Sequence, residues 1–223
     1  PVVQSKWFAT VVVESPDSTV AEQLQQLAIV DSVKWIWKGN LRVPAEEKWE
    51  DRFVSEDEPL HNEYGYSYKQ IKMLNGTKLH EAGFRGEGMR VAVIDAGFMN
   101  ADRVSAFDSL RLLGTHNVVF PGKSVFVGDD HGTKVLSCLA ADIPGVMVGT
   151  APKASYLLLK SEDSDSEYPV EEDYWTAAVE YADSAGVDVI SSSLGYFAFD
   201  TDELSYDQDA LDGRTAMISR AAN

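Results

Sequence analysis

Cysteine is almost absent from this chain: Cys138 stands alone in 223 residues, which excludes a disulfide within it and leaves the redox compartment unreadable. Long hydrophobic runs are missing as well. No apolar stretch approaches the roughly 20 residues that cross a bilayer, so no membrane span is expected. The opening PVVQSKWFATVVVE lacks the basic-then-apolar pattern of an export signal. Positive charge is scarce, with 19 Lys and Arg against 36 Asp and Glu and a formal net charge of −17. Such a field repels phosphate backbones and anionic lipid, which argues against a nucleic-acid partner. Repeats, low-complexity tracts, a GxGxxG stretch and a Walker lysine motif are also missing, and nucleotide-binding readings lose ground with them. What is present is 44% hydrophobic residues, enough for a real core in one medium domain plus a small accessory unit.

WFATVVVES at 7–15 has the β-branched and aromatic content of a strand, Ser18 to Leu27 reads as a short helix, and VDSVKWIWKG at 30–39 alternates like a second strand. Residues 1–39 are therefore predicted to form a small α+β unit of βαβ type. Residues 40–69 carry Glu46, Glu47, Glu50, Asp51, Glu56, Asp57 and Glu58 with little periodicity, the pattern of an exposed acidic linker. The larger domain is expected over 70–223. It begins with Leu74, Leu79 and Ala82 at helical spacing, closed by Gly83. Strands are then expected at MRVAVID (89–95), near HNVVF (116–120), at ASYLLLK (154–160) and at VDVISSS (187–193). Between them, GTKVLSCLAA (132–141) and EDYWTAAVEYADSAG (172–186) read as helices. This series predicts an α/β fold in which a mostly parallel sheet is covered by helices on both faces.

Asp95 follows Val91, Ala92, Val93 and Ile94, so its carboxylate falls at the C-terminal edge of a buried strand, where α/β sheets place ligands. Taken alone, an aspartate there suits a Mg²⁺ ligand, a phosphoryl acceptor, a ribose contact or a turn cap as well as catalysis. His131 precedes Gly132-Thr133 and a helix whose Val135, Leu136, Leu139 and Ala140 form one apolar stripe, which fixes the imidazole at a helix start. A histidine satisfied by the adjacent Asp129 or Asp130 is the plain alternative for that residue by itself. Ser191-Ser192-Ser193-Leu194-Gly195 ends the apolar strand that follows, and taken alone it reads as a strand closing in a glycine turn.

In this order, VIDAG, HGTKV and SSLG resemble the first two thirds of a subtilisin-type serine peptidase, over about residues 84 to 223. The resemblance implies that Asp95 and His131 are catalytic: the carboxylate orients the imidazole, which serves as general base and then general acid for a serine nucleophile. It implies that Ser193, Leu194 and Gly195 contact substrate, the backbone pairing with an extended polypeptide. The Gly149-Thr150-Ala151-Pro152 stretch matches a structural turn of the family. Residues 1–39 look similar to part of a prodomain, with processing expected inside 40–69. The family's nucleophile motif, Gly-Thr-Ser, and its oxyanion asparagine are expected beyond Asn223, so the chain taken alone is expected to be inactive as the front of a longer serine endopeptidase. A peptidase-like domain that binds peptides or a partner without cleaving is the second reading. A metal-dependent phosphotransfer protein using Asp95, Asp129 and Asp130 is the third, and it leaves SSLG and HGT unexplained. Family precedent implies a location outside the cytoplasm.

The family's HGTH is HGTK here, and Ser137-Cys138 replaces a pair of small residues further along the helix, with Cys138 read as a buried apolar filler. No cofactor is required by the serine mechanism, and no metal ligand is assigned. Structural calcium is known among subtilisin relatives. Nevertheless, the acidic runs Glu162, Asp163, Asp165, Glu167, Glu171, Glu172, Asp173 and Asp200, Asp202, Glu203, Asp207, Asp209, Asp212 are both read as solvated loops.

Overall fold

The computed structural model describes residues 2–37 and 62–223. It opens with an antiparallel hairpin, β1 (Val3–Ser5) and β2 (Thr10–Val12), followed by the short helix α1 (Val20–Gln25). Of the strand expected over 7–15 only β2 forms, because residues 6–9 turn, with Ala9 in the left-handed region at φ 52°, and its partner β1 lies before the expected span. The strand expected at 30–39 does not form over its described part, 30–37. Its backbone is satisfied elsewhere: Val33 N donates to Gln25 Oε1 at 2.9 Å and Ile36 O accepts from Val170 N at 3.3 Å. Over its described residues, the predicted βαβ unit is therefore a hairpin, a helix and a segment without regular secondary structure. Most of the acidic linker, 40–61, lies outside the described residues.

The helical pattern after residue 64 resolves into α2 (Tyr68–Met73) and α3 (Gly76–Glu81), broken where Asn75 takes φ 57°. Leu74 and Leu79, which carried that pattern, are exposed, and Ile71 is the residue that packs inward with Tyr64 and Val148. Next come β3 (Arg90–Asp95) and β4 (Arg111–Asn117), the latter starting earlier than the expected 116–120. Val118, Val119 and Phe120, which suggested that strand, are buried just past the end of β4. The helix α4 (His131–Ala140) leads through a small hairpin, β5 (Asp142–Ile143) and β6 (Met147–Val148), to β7 (Ser155–Lys160). The long helix α5 (Val170–Ser184), β8 (Val189–Ser192) and the short helix α6 (Met217–Ala222) complete the described elements.

The main sheet has the order β4-β7-β3-β8, parallel throughout, with β3 paired on both sides. Period-2 alternation then sends its side chains into two cores. Val91 and Val93 with Tyr156 and Leu158 meet Leu136 and Ala140 of α4 on one face. On the other, Ala92 and Ile94 with Leu157 and Leu159 meet Tyr174, Ala178, Val179 and Ala182 of α5. Helices thus cover both faces, as predicted. The N-terminal hairpin lies on the outer side of α5, where Lys6 N donates to Glu180 at 2.9 Å and Ser5 Oγ donates to the same carboxylate. Among the described residues, no helix is long and apolar enough to cross a membrane.

Leu136 is the fully buried side chain through which α4 seats on the sheet. Its truncation, Leu136→Ala, is expected to cost about 2–5 kcal/mol, read as a lowered urea midpoint with unchanged slope. A loss below about 1 kcal/mol would mean that α4 is not held from this side.

Candidate functional site

Burial of β3 on both faces brings Asp95 to the sheet's C-terminal edge with no exposed surface. A buried carboxylate needs partners. Asp95 Oδ1 accepts from Ala96 N at 2.8 Å and pairs with His131 Nδ1 at 2.7 Å, while Oδ2 has no hydrogen-bond partner. Burial pushes the Asp95 carboxyl above the usual aspartate range, partly offset by the hydrogen bonds from His131 and Ala96 N.

The residues around His131 explain how the imidazole is aimed. His131 is the first residue of α4, and its backbone N–H donates to Asp129 Oδ1 at 2.7 Å. Gly132 presses on the Gly97 carbonyl, and a Cβ there would also meet Asp95 Cβ and Phe98 Cε1 at 2.9 Å each. Only glycine lets the helix start approach the strand end this closely. Thr133 Oγ1 donates to Met99 O at 2.8 Å and ties the same turn to the loop after β3. Lys134 pairs with Asp130 across one turn at 2.7 Å on the exposed side. At the far end of α4, a Cβ on Gly149 would strike the Leu139 carbonyl group. Here Gly149, Thr150 and Ala151 donate to the Ala141, Cys138 and Leu139 carbonyls, filling the helix's orphan acceptors. Cys138 is exposed on α4, a correction to the buried filler expected, because the stripe that seats the helix runs through Leu136 and Ala140 instead.

The His131 side chain is half exposed, and among the described residues its Nε2 makes no hydrogen bond. It borders a cavity of about 590 Å³ that Ser193, Leu194 and Gly195 also line, just past the end of β8. The expected site residues are therefore brought to one cavity: Asp95 and His131 as a bonded pair, the 193–195 segment on an adjacent wall. Ser192 Oγ accepts from the indole of Trp175 at 2.8 Å, which anchors the segment to α5.

The remaining wall was not foreseen. Glu162, Asp163, Asp165, Glu167 and Asp200 line the cavity. The first acidic run is not the solvated loop expected, since Glu162, Asp163, Glu171 and Glu172 are buried. The signal lay in helical phase: Glu171, Trp175, Ala178 and Ala182 form one stripe of α5, and the stripe faces inward. Burial pushes both Glu162 and Glu171 well above the usual carboxylate range. Burial also lowers the ammonium of Lys160, whose Nζ donates to the Ala96 carbonyl. The second acidic run, Asp200 to Asp212, is exposed as expected.

No family model matches the chain. Among curated proteins, it is similar to Subtilisin E of Bacillus subtilis (strain 168), with 32% identity over 147 residues that cover 64% of this chain and 36% of that protein. It is also similar to the Major intracellular serine protease of the same organism, with 31% identity over 133 residues, 56% of this chain and 40% of that protein. The chain thus spans little more than a third of the length of these relatives. Among solved structures, it aligns with the serine protease MycP1, described as an essential component of the type VII (ESX-1) secretion system, at 20% identity and a TM-score of 0.49, covering 82% of this chain and 47% of that one. Prenylagaramide maturation protease PagA aligns at 21% identity and a TM-score of 0.44, covering 66% of this chain and 46% of that one.

Gly132→Ala is expected to push α4 off the strand end and lower stability by about 1–3 kcal/mol, the range for overpacking a tight contact. Thermal unfolding measures it, and an unchanged midpoint would show that the helix start has room the structure does not give it.

Proposed function

We propose, from the chain's similarity to the subtilisin-type serine peptidases, that it carries the aspartate and histidine of an Asp-His-Ser triad. The observation that carries this reading is the 2.7 Å bond between Asp95 Oδ1 and His131 Nδ1, beside a cavity that Ser193, Leu194 and Gly195 also line. An ionised Asp95 accepts a hydrogen bond from Nδ1–H, which holds the tautomer whose Nε2 lone pair is free to act as a base. In the whole protein, Nε2 takes the proton of a serine hydroxyl as its oxygen attacks the peptide carbonyl. It then gives that proton to the leaving amine, and water repeats the sequence to release the acyl group. The serine and an oxyanion donor are assigned to the longer polypeptide. The segment 193–195 follows β8, an edge strand of the sheet among the described residues, and suits backbone pairing with an extended peptide.

Two further elements belong to the same proposal. Residues 1–39 are read as a prodomain-like unit, 40–69 as the linker where it is processed, and 70–223 as the peptidase domain. The docking of the hairpin on α5 through Glu180 supports the first of these. A location outside the cytoplasm is proposed with it, although one matched relative is by name intracellular. The second reading is a peptidase-like domain that binds peptides or a partner without cleaving.

In the full-length protein, Asp95→Asn is expected to lower turnover about 10⁴-fold, and His131→Ala at least as much, with little change in KM. A fluorophosphonate probe should label one serine of that protein, and His131→Ala should abolish the labelling. A folded, processed product that takes no label would instead establish the binding-domain reading.

A further inference from the structure

At and behind the acidic wall of the cavity three carboxylates converge, and among the described residues none of them is in an ion pair. One oxygen each from Glu162, Glu167 and Glu171 lies within 4.8 Å of the other two. Glu171 is 1% exposed, and its Oε2 has no hydrogen-bond partner, although Oε1 accepts from Asp163 N at 3.0 Å. The neighbouring Glu172 shows what a satisfied carboxylate looks like at the same depth. Its Oε1 accepts from the Tyr206 hydroxyl, and its Oε2 accepts from Ile218 N at 3.2 Å. Lys160, the buried ammonium nearby, is engaged by the Ala96 carbonyl, and among the described residues no ion pair joins it to the three glutamates.

Leaving a carboxylate oxygen buried and unpaired costs several kcal/mol, and crowding three carboxylates adds repulsion. A cation removes both penalties at once. Oxygens on opposite sides of a Ca²⁺ ion, each held at about 2.3–2.6 Å, are roughly 5 Å apart, which the observed spacing fits. The ion prefers carboxylate and water oxygens in a flexible shell of six to eight, and Glu162 and Glu167 border the open cavity from which it and its waters would enter. We propose that Glu162, Glu167 and Glu171 together bind one Ca²⁺ ion.

The ion would join the loop after β7 to the first turn of α5. Through the Tyr196 hydroxyl, which donates to Glu162, it would also reach the segment that follows Gly195. It would therefore set the shape of the cavity wall that shares its opening with His131. This assignment does not rest on the catalytic reading, since it concerns binding and not turnover.

The test is thermal unfolding of the whole chain, stripped with a chelator and then titrated with CaCl₂ to millimolar concentration, against MgCl₂ and NaCl at matched ionic strength. Calcium is expected to raise the midpoint by about 5 °C, with calorimetry giving one ion per chain. Glu167→Gln, which is only half-buried, and Glu171→Gln should each abolish the shift, while Asp209→Asn in the exposed acidic run should keep it. If Glu171→Gln fails to fold, Glu167→Gln carries the test. A shift no larger than NaCl produces, or one that survives Glu167→Gln, would overturn the site. Stabilisation by an arginine-containing peptide in place of calcium would also overturn it and assign the carboxylates to a basic side chain.

Discussion

Everything at the site depends on β3 being buried on both faces and paired along both edges. A strand so enclosed has no freedom to slide, since a shift of one residue would exchange the contents of the two cores. Its last residue therefore arrives at the sheet edge in one position. That residue is Asp95, and its burial is tolerable only because Ala96 N and the His131 ring supply hydrogen bonds. The imidazole in turn is fixed by the approach of Gly132 to the strand end and by the Thr133 bond to Met99 O. Packing, backbone geometry and the carboxylate–imidazole pair are thus one device, with the hydrophobic cores supplying its rigidity.

Much of this was legible from the residues. The apolar run at 91–94, the stripe of α4 and the alternation of strand and helix patterns each follow from a strong local period, and each element is found close to its expected bounds. The Asp95–His131 pairing was legible through motif order, because nothing local to either residue requires them to meet. The N-terminal strands were misread where composition was the sole guide: β-branched content does not say whether a chain turns at residues 6–9 or finds a neighbour at 30–37. Leu74 and Leu79 show the converse, a helical spacing that faces no core. The burial of the first acidic run was hidden because charge was weighed before helical phase. Glu171 sits in line with Trp175 and Ala178, and its position on α5 decided its environment.

The chain's negative charge is not spread evenly in its effect. Around the cavity, carboxylates are held by burial at places where water cannot fully screen them, and the field there is correspondingly focused. The exposed run from Asp202 to Asp212 keeps its solvent, so its charges are screened. The distinction between these two runs is invisible to net charge: Glu171 and Glu172 are carried inward by α5, and Glu162 and Asp163 are buried in the loop before it.

The strand order also has a kinetic meaning. The central strand, β3, meets its first partner only at residues 155–160 and its second only at 189–192, while β4 too waits for β7. During synthesis, the segment that ends in Asp95 therefore leaves the ribosome with both edges open and stays so until much of the chain has followed. Local helices form early, but the ladder that positions the carboxylate closes late, and in the interval the apolar run at 91–94 is the stretch most in need of protection from other chains.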